Sequence, residues 1–292
     1  MKSSSTFLVF LLLSVGVLGQ NSDEDHYRPF SKGLRLYELK DYPAAFKYFL
    51  IAANDGSSLA AYNLGVMYCN GMGVDQNYKE ALRWWRVSAQ KHDVDALDGL
   101  GSLYYNGFGV VKDLKQAFAF YESAAKQKQV HAQAQLAYMY FKGEGVKQDY
   151  VKAFKWCKKS ANEGNLRAIN NLGIFYEQGF GTKINLYEAV RLYRKSAAQG
   201  YADGEYNLGR CYYDGIGVYH DKAEAFQWYK KAAINGSANG QYILGTLYER
   251  GVGTEENISE AIKWYKKAAD QGNENAKDKL DDLKNKGVIS DS

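Results

Sequence analysis

The chain has 292 residues, 46% hydrophobic and 24% charged, with 37 basic side chains against 33 acidic ones. That balance excludes a disordered or collagen-like polymer, and a formal net charge of +4 is too small for a nucleic-acid footprint or a polybasic membrane anchor. The unusual counts are 29 Gly, 25 Tyr and only 2 Pro, which point to many helices interrupted by turns.

At the start, Lys2 precedes an apolar run from Phe7 to Val17 and then Leu18-Gly19-Gln20. A positive start, a short apolar stretch and small residues near its end read as a secretory signal peptide over 1–19, followed by a polar leader over 20–26. The expected location is the secretory pathway: secreted, periplasmic or in the lumen of the endoplasmic reticulum. Only Cys69, Cys157 and Cys211 are present, so no disulfide framework is expected, and their spacing fits no metal motif.

The first predicted elements are helices over 27–39 and 43–54. From there a repeat takes over. Gly-x-Gly occurs at Gly71/Gly73, Gly107/Gly109, Gly143/Gly145, Gly179/Gly181, Gly215/Gly217 and Gly251/Gly253, each step being 36 residues. Leu64, Leu100, Leu136, Leu172, Leu208 and Leu244 keep the same step, and so do Ala81, Ala117, Ala153, Ala189, Ala225 and Ala261. A fixed period of this length marks stacked supersecondary units. Within each unit, small and aromatic residues recur at helical separations, so the period holds two helices beginning near 59 and 78 and their counterparts. The first Gly of each pair suits a left-handed helix end and the second a close backbone approach. Asn77, Asp113, Asp149, Asn185, Asp221 and Asn257 are placed as N-caps, with Glu80, Gln116, Glu188, Glu224 and Glu260 at the reciprocal capping-box position. Between units Gly164, Gly200, Gly236 and Gly272 supply the turn; His92 and Lys128 stand there instead in two units and must use another geometry or accept strain. A charged helix near 275–286 ends the array, with a flexible tail over 287–292.

The segments Leu64-Gly65-x-x-Tyr68-x-x-Gly71-x-Gly73-Val74 and Ala225-Phe226-x-Trp228-Tyr229-x-Lys231-Ala232-Ala233 resemble Sel-one-like repeats, relatives of tetratricopeptide repeats with a longer internal turn. The resemblance covers roughly 27–286. It implies an all-α fold, a right-handed alpha-alpha solenoid of stacked antiparallel helix pairs, about fifteen helices in one repeat domain. It also implies a protein-interaction scaffold or adaptor. The cysteine-rich branch of that family carries a regular disulfide in each repeat, which this chain lacks.

The first functional reading is an exported scaffold that binds a protein or peptide on the concave face lined by first helices. Asn63, Asn171 and Asn207 share one repeated position, where amides can both donate to and accept from an extended backbone. Arg210 lies one helical step from Asn207 and suits a carboxylate, while Tyr62 and Tyr206 precede two of the same Asn positions. Phe108 and Phe180, in the middle of Gly-x-Gly loops, are competing anchors. The lysine pairs Lys158/Lys159, Lys230/Lys231 and Lys266/Lys267 are expected to face solvent near helix C-termini.

The alternatives are an assembly protein that forms an oligomer through the solenoid ends or Cys69, expected to be the most exposed thiol, and, well behind it, an acyl-transfer or hydrolytic enzyme. Ser88-Ala89-Gln90-Lys91 and Ser123-Ala124-Ala125-Lys126 match a short Ser-x-x-Lys pattern, but the serines do not share a register and no companion elements accompany them. No catalytic residue, metal or cofactor is expected, and no transmembrane segment in the mature chain. His92 and His131 are placed to approach one another across adjacent turns. Asn235 and Asn257 head glycosylation acceptor triplets, with Asn235 the more accessible.

Overall fold

The computed structural model describes residues 29–289. The expected signal peptide at 1–19, the leader at 20–26 and residues 290–292 lie outside the described residues.

All regular structure among the described residues is α-helical, and the fifteen helices fall into two compact units. The first holds α1 (Pro29–Glu38), α2 (Tyr42–Asn54), α3 (Ser58–Asn70), α4 (Tyr78–Ala89), α5 (Val94–Asn106), α6 (Leu114–Lys126) and α7 (Val130–Lys142). The second holds α8 (Tyr150–Asn162), α9 (Leu166–Gln178), α10 (Leu186–Ala197), α11 (Ala202–Asp214), α12 (Lys222–Ile234), α13 (Ala238–Arg250), α14 (Ile258–Asp270) and α15 (Glu274–Asn285). Within each unit consecutive helices pack as hairpins, and each hairpin stacks on the next in solenoid fashion. The expected boundaries fall within a few residues of these ends.

Helices of 12 or 13 residues are marginal alone, so packing must hold them. A ring of the second helix lies flat on a glycine of the first. Trp85 covers Gly65, Tyr121 covers Gly101, Tyr193 covers Gly173, Tyr229 covers Gly209 and Tyr265 covers Gly245. A Cβ built on Gly65 would sit 2.3 Å from Trp85, so only hydrogen leaves room for the ring. This accounts for part of the glycine and tyrosine excess: small residues let the helices approach, and large rings fill what remains.

The internal loop works as its glycines require. Gly71 closes α3 in the left-handed region, φ 68°, and its N–H donates to the Met67 carbonyl. Gly73 then passes so close to the start of α2 that a Cβ would lie 2.4 Å from the Tyr42 carbonyl carbon. The same two contacts recur at Gly179 and Gly181, the latter against Tyr150. Loop aromatics lie along these seams rather than pointing outward: Phe108 stacks on Tyr78 at 4.9 Å and Phe180 on Tyr150 at 5.0 Å.

The N-caps hold as expected, Asn77 Oδ1 accepting from the Lys79 and Glu80 N–H groups and Asp221 Oδ1 from Glu224. The capping box does not. Each cap's own N–H donates instead to a tyrosine carbonyl of the preceding helix, Asn77 to Tyr68, Asn185 to Tyr176 and Asn257 to Tyr248. The carboxylates so released pair one turn on, Glu80 with Arg83, Glu188 with Arg191 and Glu260 with Lys263. In the turns between hairpins His92 and Lys128 adopt φ 64° and 68°, the glycine conformation without glycine. At the C-terminus Gly287 is left-handed, and the Val288 N–H returns to the Leu283 carbonyl.

Candidate functional site

The first helices carry the residues singled out for binding, and the structure employs most of them internally. Tyr62 is 5% exposed and Asn63 6%. The Tyr62 ring stacks on Trp85, and its carbonyl accepts the Trp85 indole N–H at 3.1 Å. Asn207 Nδ2 donates to Asn170 Oδ1 at 2.8 Å, while Asn171, at the same repeat position as Asn207, is half-buried. Tyr206 is half-buried, edge-on to Tyr229. The repeated Asn position is therefore buried at Asn63 and forms an inter-helix tie at Asn207.

Arg210 is paired within the chain. Its Nη2 lies 2.6 Å from Glu177 Oε2, which also accepts the Tyr193 hydroxyl at 2.7 Å. Glu177 is buried in the last turn of α9 beneath both partners. Burial pushes its carboxyl up, but the bonds from Arg210 and Tyr193 and the guanidinium charge outweigh that and hold it below the usual range. The same bonds raise the Arg210 guanidinium against its own desolvation. Two repeats on, Glu249 repeats the arrangement, accepting from Tyr265 at 2.7 Å and pairing with Lys279 of α15 at 2.8 Å. In both cases a carboxylate at the end of one first helix binds its own hairpin's tyrosine and a cation from a later hairpin. No sequence motif announced this staple, because its members lie 16 to 33 residues apart.

In the first unit α5 presents Asp95 and Asp98 beside its N-cap Asp93. His131 Nδ1 meets the Asp98 carboxylate at 2.8 Å, and its Nε2 lies 2.9 Å from Gln135 Nε2. His131 contacts Asp98 and Gln135, and its ring meets Tyr121 edge-on at 6.4 Å. Gln129 Nε2 donates to Asp95 at 3.2 Å, whose carboxyl is nonetheless pushed up by burial and by its two acidic neighbours.

The remaining candidates resolve as follows. Cys69, expected to be the exposed thiol, is 1% exposed, and burial pushes it up to about 11; Cys157 and Cys211 are buried too, each at about 12. Apolar packing of α3 against α4 turns Cys69 inward. Ser88 is buried with its hydroxyl donating to the Ser58 carbonyl, while Lys91 bonds the Gly56 carbonyl. Lys159, Lys231 and Lys267 fold over Trp156, Trp228 and Trp264 at 4.0, 3.9 and 4.2 Å, so one lysine of each pair is held on a ring. The Asn235 amide that a glycan would modify donates to both oxygens of buried Glu205 at 2.9 Å. Among the described residues no group of His, Cys, Asp and Glu is placed to hold a metal ion, and no helix is long and apolar enough to cross a membrane.

The Sel1 repeat matches seven consecutive segments, 30–57, 58–93, 94–128, 130–165, 166–201, 202–237 and 238–273. The chain belongs to the Sel1 repeat family. Each segment runs from a first helix to the turn after its partner, so the family unit coincides with the hairpin built on a ring-covered small residue. A protective antigen of uropathogenic Escherichia coli with an SLR fold superimposes with TM-score 0.74 at 35% identity over 89% of this chain. The chain spans 56% of that antigen's length. A Sel1 repeat protein from Oxalobacter formigenes gives TM-score 0.79 at 29% identity, covering 82% of this chain and 96% of its own. An immunity protein from Pseudomonas aeruginosa shares the fold alone, with TM-score 0.51 at 20% identity over 73% of this chain and 82% of its own. No curated protein matches the chain.

Proposed function

We propose that this Sel1 repeat solenoid is an exported protein-binding scaffold that holds a protein or peptide on the first-helix face and performs no chemistry of its own. One observation carries the reading: the packing registers repeat while the exposed registers beside them do not. Leu64 recurs as Leu in six of the seven repeats, and Gly71 and Gly73 as Gly. The position of Leu59 instead reads Leu59, Asp95, His131, Arg167, Asp203 and Asn239, exposed in all but the half-buried Asp95, and that of Asn70 reads Asn70, Asn106, Lys142, Gln178, Asp214 and Arg250, exposed in all but the half-buried Asn70. Residues needed only for stacking are under the same constraint in every unit. A varied row on the outside of a uniform one is what a surface shaped to a particular partner requires. The antigen and immunity roles named for structural neighbours are compatible with such binding, and the apolar run at 7–17 supports export.

The test is affinity capture from the secretory or envelope compartment with the wild-type chain and with a variant carrying Asp203→Ala, Asp214→Ala and Arg250→Ala. These positions are exposed, so the fold should survive. A partner recovered by the wild type and lost by the variant supports the reading. Equal recovery by both sinks it.

A further inference from the structure

One edge of the second unit departs from the rest of the chain. The Gly-x-Gly loops lie over the N-terminal ends of the preceding second helices, Gly181 against the Tyr150–Val151 backbone and Gly217 against Leu186. Along this seam the chain exposes Val151 (50%), Ile184 (65%), Tyr187 (76%) and Tyr219 (96%). The other repeats act as internal controls. The Ile184 position holds Gln76, Lys112, Gln148, His220 and Glu256; the Tyr187 position holds Lys79, Lys115, Val151, Ala223 and Ser259. At the Tyr219 position stand Asp75, Val111, Lys147, Lys183 and Glu255. The fold therefore accepts polar residues at these sites, and packing does not explain the apolar ones.

The rim is cationic. Lys152, Lys155, Lys183 and Lys222 are exposed around the patch, and Lys183 and Lys222 have no carboxylate partner among the described residues. Beside the patch Asp149 caps α8 and pairs with Lys152, Asp221 caps α12, and Glu188 pairs with Arg191, while the exposed Glu255 and Glu256 belong to the next loop, which Gly253 seats on Lys222 at the far end of the seam. The N-terminal, positive ends of α8, α10 and α12 carry the seam. Exposed rings and branched side chains on short, capped loops are pre-positioned anchors, and apolar patches rimmed by like charge mark interaction sites.

We propose that this edge is a second docking surface, for an acidic peptide segment that inserts apolar side chains among Ile184, Tyr187 and Tyr219 while its carboxylates meet Lys183 and Lys222. Positive charge calls for a negative partner, and the separated rings call for discrete apolar anchors between its charges. The edge is distinct from the first-helix face, and the substitutions at Asp203, Asp214 and Arg250 leave it intact, so the two readings fail independently.

The probe is a displayed library of random twelve-residue peptides selected on the full chain. Enriched sequences are expected to combine Asp or Glu with aromatic or aliphatic residues. Anisotropy with an enriched peptide should show Kd rising at least tenfold for Ile184→Gln/Tyr187→Ser/Tyr219→Gln. A flatter salt dependence is expected for Lys183→Gln/Lys222→Gln. Circular dichroism verifies that both variants fold. In the wild type, a photoreactive group on that peptide should attach within 183–187 or 219–222. Enrichment of basic or uncharged peptides, no enrichment, a Kd within twofold for the apolar variant, or attachment elsewhere overturns the proposal. So does binding of phosphatidylserine vesicles through this edge without peptide binding, which would make it a membrane surface.

Discussion

Gly173→Ala probes the contact on which each hairpin depends. A Cβ there would stand 2.6 Å from Tyr193 Cε1 and 2.9 Å from Cδ1, and the ring is fully buried. Overpacking of this kind costs about 1–3 kcal/mol. The ring cannot step aside freely, because its hydroxyl is tied to Glu177, which in turn holds Arg210. Losing a hydrogen bond to a buried carboxylate costs a further ~1.5–3 kcal/mol. Alanine returns about 1 kcal/mol of helix propensity. The net loss should be roughly 1.5–5 kcal/mol, which lowers the melting temperature by roughly 3–20 °C in a chain of this size. Thermal and urea melts followed by far-UV circular dichroism measure it, with Gly209→Ala as comparison. There the nearest ring atom is 3.1 Å from the new Cβ, so a small adjustment suffices and the loss should stay below about 1 kcal/mol. If Gly173→Ala melts at or above wild type, or no lower than Gly209→Ala, the ring is not wedged as argued.

Three further outcomes follow from particular residues. His92→Gly and Lys128→Gly should each stabilise by up to about 1 kcal/mol in urea melts, since a left-handed backbone costs non-glycine residues ~1–2 kcal/mol and glycine gives part of that back in the unfolded chain. The three thiols should resist an aromatic disulfide reagent at mildly alkaline pH and react together in denaturant; rapid labelling of Cys69 in the folded chain would contradict its burial. Glu177 is held below its ordinary value of 4.5, so its contribution is present at neutral pH and is lost as pH falls through the lower, folded value. Acid titrations of stability should accordingly be shallower for Glu177→Gln below about pH 4.5 than for wild type, and Glu177→Gln should be less stable at neutral pH.

Much of this fold is written in spacing. A period of 36 residues and the caps at Asn77 and Asp113 specify where helices begin and end. Those are local properties: a helix terminus depends on residues within one turn of it, and the left-handed glycine acts on its own peptide units. The small residue at Gly65 and the ring at Trp85 are likewise visible as registers, though that one covers the other emerges only when the hairpin closes.

The candidate site was less legible. Placing Asn207 and Arg210 on the first helix follows from periodicity, but the partners of those side chains depend on how far one hairpin is turned and shifted against the next. The stacking joins Asn207 to Asn170 and brings Arg210 to Glu177, 33 residues away. That offset is set by the sum of ring-on-glycine and loop-on-helix contacts, none of which is local. The same holds for Cys69, turned inward by apolar packing, and for Ile184, Tyr187 and Tyr219, which the stacking leaves outside. The sequence by itself thus determined the repeating hairpin; tertiary stacking alone decided which polar side chains are consumed in holding the array and which are left to meet a partner.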